Sequence, residues 1–185
     1  MTTWSEWNRT TRFFKSASLA LAREATIARS LPFASPSAVE FSSPFGNGRY
    51  NVSLAAHIGA VSDMALLCSL VLVFAYATTE EAARSHLTPT LGEREPIEQW
   101  GLRLLQRNGA DWSAIRGGCS SLVEVAVARN AVVHGLPVEQ RMINRIEGSG
   151  GVSPWRIGDR VVLSPAQVEE YRARLRGLLR NAAIR

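Results

Sequence analysis

Two cysteines, three histidines and one lysine are all that the 185 residues hold of these types, and each scarcity removes a class of function. Cys68 and Cys119 are too few and too far apart for a disulfide framework or a thiolate zinc site, which points to a reducing cytoplasm and to two buried thiols. His57, Asp63 and His86 make no metal site, because the first two lie six apart on a helix, on different faces, with no third ligand at i+3 or i+4. No metal or other cofactor is expected. Glycine-rich phosphate loops are lacking too: residues 45–50 and 148–151 have none of the strand, Lys and Ser/Thr context of a nucleotide cradle and are read as turns. The longest apolar stretch, within Leu54 to Ala77, is purely apolar only from Met64, apart from Ser69. That leaves it short of the ~20 residues of a spanning helix. A buried central helix is therefore expected, with no membrane partner; a membrane-associated protein using this stretch is an alternative that would fractionate with membranes. No charged start followed by an apolar run and a cleavage site is present, which argues for a cytoplasmic protein.

What is abundant is arginine. Lys15 is the sole lysine among 21 basic residues, a bias that suits phosphate recognition by forked guanidinium groups but equally a GC-rich genome. Distribution is more telling than number. Basic and acidic residues balance through residue 140, so the net charge of +5 sits in the last quarter of the chain. A basic tail of this kind suits a polyanion such as RNA, and it also serves solubility.

The length fits one helical domain, residues 1–185, with a core that needs no staple. Trp4 to about Ser30 reads as an amphipathic helix, with Trp7, Phe14, Leu19 and Ile27 among its apolar residues, ended by Pro32. Residues 32–51, with two Ser-Pro pairs and Gly46-Asn47-Gly48, read as an ordered loop or one holding a short strand. A second helix is expected over about Val52 to Arg84, apolar almost all round and so surrounded by other elements. Glu95-Pro96 opens a third helix through about Gln106, and Asp111 caps a short helical turn. Ser121 with Glu124 three residues later reads as a capping box and Gly135 with Pro137 as a stop, predicting a helix over 122–134. Two short strands around Gly158-Asp159, over about 155–163, form a small β-hairpin. Ser164-Pro165-Ala166-Gln167 then opens a last helix bearing Arg172, Arg176 and Arg180. The fold class is all-α: a bundle of about five helices with that one hairpin.

Chemistry becomes visible in the fourth helix, where Arg129, Asn130 and His134 interrupt or close an apolar run from Val125 to Val133. His134 lies one turn above Asn130, so these two share a face. Arg129 sits about 140° round from His134 and roughly 7.5 Å along the axis, so one helix does not bring both onto the same small atom. Cutting RNA without a metal takes a base for the 2′-hydroxyl proton, an acid for the departing 5′-oxygen and positive charge on the phosphate. A single imidazole cannot do both proton jobs at once. Two copies of the helix meeting across a two-fold axis would supply two His134, two Arg129 and two Asn130, so the chemistry requires a homodimer. The plainer alternative is a His that caps a helix and an Arg that pairs with Glu124 or Glu98. Cys119 is no thiol partner for His134, being roughly 20 Å away along the helix.

Arg129-Asn130, three apolar residues and His134-Gly135, late in an apolar helix of a helical chain, resemble the Arg, four to six residues, His signature of the HEPN superfamily. The match covers about 15 residues closely, and a polar residue directly after the Arg is typical. The resemblance implies a helical bundle, commonly dimeric, and in many members a metal-independent endoribonuclease acting as a toxin, a defence effector or an RNA-processing enzyme, with an antitoxin or other regulatory protein as a further partner. It implies Arg129 on the scissile phosphate, His134 as base or acid from opposite protomers and Asn130 as positioner, with Arg172, Arg176 and Arg180 guiding RNA. Leu136 stands where toxins paired with nucleotidyltransferase antitoxins often carry Tyr, which argues against control by nucleotide addition there. A catalytically silent HEPN-like module that binds RNA, nucleotide or protein is the rival reading.

Overall fold

The least polar helix sits where the most partners can cover it. In the computed structural model, which describes residues 2–31, 40–42, 51–87 and 95–184, α3 (Met64–Leu87) packs against α1 (Thr3–Ser30), α4 (Ile97–Gln106), α5 (Gly118–His134) and α7 (Pro165–Asn181). Leu67, Val71, Leu72, Ala75 and Ala83 of α3 are buried and join Trp7, Phe14, Trp100, Leu104, Val123 and Leu175 in one apolar core. α2 (Leu54–Ser62) lies on α1, and α6 (Gln140–Gly148) lies on α5. Seven α-helices are thus present among the described residues, rather than about five.

One of the two additional helices has a local cause. The expected helix over 52–84 is two helices, because Asp63 leaves helical geometry (φ −79°, ψ 74°). Its Oδ1 accepts from the Leu66 N–H at 3.0 Å, so Asp63 caps α3. α6 is the helix that the sequence reading left unassigned.

The hairpin expected over 155–163 does not form. That segment has no strand. A turn does occur over residues 156–159, closed by the Asp159 N–H donating to the Arg156 carbonyl at 3.1 Å, but its flanks pair with Val138 and not with each other: the Val138 N–H donates to the Asp159 carbonyl, and the Gly158 N–H donates to the Val138 carbonyl, both at 2.8 Å. Burying Leu163 and half-burying Trp155 and Val161 against the core fixes these residues more firmly than pairing with one another would. Among the described residues the strand pairing is a three-residue antiparallel ladder of β1 (Glu40–Ser42) with β2 (Asn51–Ser53). Of the loop expected over residues 32–51, the short strand is present at Glu40–Ser42, while residues 32–39 and 43–50 lie outside the described residues.

α3 is also not enclosed on every side. Leu66, Leu70 and Phe74, each one turn from the next, are 60%, 49% and 64% exposed. At 24 residues and a mean hydropathy of 1.4 over its most apolar window, α3 is long and apolar enough to cross a membrane by length and composition, a test that core helices also pass. On α1, Leu19 and Ile27 face outward too.

Candidate active site at the end of the fifth helix

α5 begins earlier than its apparent capping box. Gly117 and Gly118 take left-handed backbone angles (φ 80° and 63°), which glycine adopts without penalty, and the helix starts there with Gly117 as N-cap. Ser121 is therefore inside the helix, its hydroxyl donating to the Gly118 and Arg116 carbonyls. Glu124, released from capping, accepts from the Tyr171 hydroxyl at 2.7 Å and from Arg174 Nη1 at 2.9 Å, latching α5 to α7. Burial first, and then the bond to Glu124, raises the Tyr171 phenol above its ordinary value.

The other end stops as anticipated. Gly135 is left-handed (φ 61°), and its N–H and that of Leu136 both turn back to the Ala131 carbonyl. His134 is thereby the last helical residue, exposed and flanked by the exposed Val133 and Leu136.

The side chains divide as helical geometry requires. Asn130 and His134 line one open cavity of about 340 Å³, together with Val127 and Leu136 and with Arg141, Met142 and Arg145 from α6. Arg129 is not in its wall. It is half-buried, its guanidinium 5.4 Å from the centre of the Tyr76 ring on α3. It reaches the cavity through Asn130, with Nη1 donating to Asn130 Oδ1 at 2.7 Å, while its buried Nε has no acceptor. Neither Glu124 nor Glu98 pairs with it. Burial, and then the charge of Glu80, pushes the Tyr76 phenol up to about 12, so the ring beneath Arg129 stays neutral at physiological pH.

Of the two arginines that α6 adds, one is fixed and one is loose. Arg145 donates to Glu98 of α4 in a fork, Nε to Oε1 at 2.9 Å and Nη2 to Oε2 at 2.7 Å. Burial works to raise the Glu98 carboxyl, but this fork, a backbone hydrogen bond and the charge of Arg145 together outweigh it and hold the group below its ordinary value. Arg141 pairs with Glu139 at 2.6 Å at the surface, with its side chain 72% exposed. A phosphate in the cavity can draw it away, since an exposed pair of this kind is weak. The sequence reading passed over Arg141, Met142 and Arg145. The signal was Val138, Met142 and Ile146, an apolar stripe four residues apart that marks a short helix.

The arginines of α7 do not form the surface expected of them. Arg172, assigned to RNA, is only 6% exposed and lies 5.1 Å from the Trp7 ring, between α7 and α1. Arg176 and Arg180 are exposed, the latter over the Trp4 ring at 5.9 Å. The Glu124 latch lies ten residues before His134, about 15 Å along α5, so α7 meets α5 well away from the imidazole. His57 is largely buried and bonded to Glu24 at 2.9 Å. Among the described residues no three His, Cys, Asp or Glu side chains gather as metal ligands would. Burial raises the Cys119 thiol, which sits at the opposite end of α5 from His134.

No family model, curated protein or solved structure matches this chain.

Proposed function

We propose that the chain is a HEPN-like, metal-independent endoribonuclease acting as a homodimer, and the observation that carries this reading is the cavity shared by Asn130, His134 and two arginines. In it, one His134 takes the proton of a 2′-hydroxyl, that oxygen attacks the neighbouring phosphorus, and the imidazole of the second protomer protonates the departing 5′-oxygen. The products are a 2′,3′-cyclic phosphate and a 5′-hydroxyl. Arg129 stabilises charge on the phosphate as five-coordination develops, and Asn130, already bonded to it, sets its direction. Arg141 extends the positive surface toward the chain of the substrate.

A second protomer has a surface to meet. Val133 and Leu136 beside His134 are exposed apolar residues. Pairing copies across these two residues buries apolar surface and brings two α5 ends together.

One observation favours the rival reading of a non-catalytic binding module. Arg129 is stacked on Tyr76 and tied to Asn130, a committed position for a group that must meet a phosphate. The two readings part on one experiment: wild type and His134→Ala are incubated with cellular RNA in EDTA, and RNA ends are sequenced. New 5′-hydroxyl ends made by wild type alone are expected. Cleavage unchanged in the variant, or an absolute requirement for magnesium, rejects the assignment.

A further inference from the structure

The side of the bundle formed by α1 and α7 holds a cation that the candidate active site does not use. Arg172 is more than nine-tenths buried, and among the described residues no carboxylate lies within ion-pair distance of it. Its Nη2 is spent on the Thr11 hydroxyl at 2.5 Å and, more weakly, on the Trp7 carbonyl at 3.4 Å, while its buried Nε has no acceptor. A guanidinium taken out of water without an anionic partner is unfavourable, and an apolar side chain of similar length would fill the same space without that penalty. The Trp7 ring offsets only part of it.

Beside this group lies an open cavity of about 500 Å³, whose wall includes Trp7, Thr11, Lys15, Glu169, Arg172 and Arg176. Its volume is in the range that holds a small ligand. Lys15 and Arg176 are exposed cations at the rim. Glu170 also lines the cavity but is bonded to Arg174, while Glu169 forms no ion pair among the described residues and acts on Arg172 only at a distance. The cavity therefore offers a buried, unmatched fork at its base and two solvated positive charges at its mouth.

We infer that this cavity binds a phosphoryl group, with the Arg172 guanidinium as its anchor and Lys15 and Arg176 as its outer contacts. A tetrahedral, multiply charged oxyanion fits the guanidinium fork and accepts hydrogen bonds from several directions at once. The site is separate from His134, so it stands whether or not the chain cleaves RNA. The phosphoryl group can come from a free phosphate or from the end or backbone of an RNA, and the test distinguishes these.

Wild-type protein is titrated by calorimetry, and its melting followed, with inorganic phosphate, a 5′-phosphorylated RNA oligomer and the same oligomer bearing a 5′-hydroxyl, each against chloride at matched ionic strength. At a hundredfold excess over the dissociation constant, melting should rise by roughly 5–10 °C. Arg172→Met should abolish the saturable part, leaving only the general stabilisation that phosphate gives any protein. Lys15→Ala with Arg176→Ala, two exposed positions whose loss leaves folding intact, should weaken binding about tenfold. Glu169→Gln, which removes the opposing charge, should tighten it. Response to phosphate alone marks a small-ligand site, response to the 5′-phosphorylated oligomer alone marks an RNA end, and response to both oligomers marks the backbone; each supports the inference when it depends on Arg172. No saturable binding of any of the three, or binding unchanged in Arg172→Met and in the rim double variant, overturns it.

Discussion

Diluting wild-type protein with the His134→Ala variant tests the shared-site mechanism more sharply than the variant alone. The imidazole is exposed at the end of α5. Its removal is therefore expected to change stability by no more than about 0.5 kcal/mol. Each imidazole acting as acid or base contributes about 10²–10⁴ in rate, so a dimer lacking one falls below a hundredth of the native activity and counts as inactive. Where both imidazoles serve one phosphodiester, only dimers with two native subunits cut, and after subunit exchange the activity follows the square of the wild-type fraction. An equal mixture then retains about one quarter of the native rate, whereas two independent sites would retain about one half. The assay is initial cleavage of a fluorescent RNA at constant total protein across a series of mixing ratios. A straight line through that series would refute the composite site, even if His134 itself proves essential.

Three further outcomes follow from the geometry. Glu124→Ala should destabilise the protein by about 2–3 kcal/mol, because it leaves the buried Tyr171 hydroxyl without its acceptor and takes from Arg174 one of its two carboxylates; a loss near 1 kcal/mol in a denaturant melt would instead fit a helix cap. Arg141→Ala should raise KM for RNA about tenfold with kcat little changed, since the exposed arm contributes capture and not chemistry; a fall in kcat alone would contradict this. Glu98 is held below its ordinary value in the fold, so its contribution to stability is complete above the unfolded carboxylate value of about 4.3 and is lost as pH falls through the folded value. Glu98→Gln should accordingly be less stable than wild type at pH 7 and nearly equal to it near pH 2; an undiminished gap in acid would show that the carboxylate charge is not what matters.

Much of the frame could be read from local chemistry. The Ser164, Pro165 and Gln167 box starts α7 as written, and Gly135 ends α5 as written. These signals are self-contained, with donors and acceptors a few residues apart. The failures arise where a distant partner competes. Ser121 and Glu124 have the spacing of a capping box, but two left-handed glycines let the helix begin earlier and Glu124 bonds across to α7. The apparent strands at 155–163 gave up mutual pairing for Val138 and the core. Arg172 was expected in solvent because arginine usually is, and nothing in the spacing of α7 says that α1 lies over it. For the candidate site, the face shared by Asn130 and His134 follows from helical spacing alone. The contribution of α6 does not, because it depends on how a nine-residue helix folds back along α5.

The uneven mooring of α5 has a mechanical consequence. Its first half is clamped by a carboxylate gripping two side chains of α7, while its last turn leans on α6, whose own leading segment is tethered by a pair of backbone bonds at Val138. The helix is buried in the core as far as Ala131, and only Val133 and His134 stand exposed at its tip. In the dimer proposed above, a partner meets only that tip, so the reacting groups come together without disturbing the buried length of the helix.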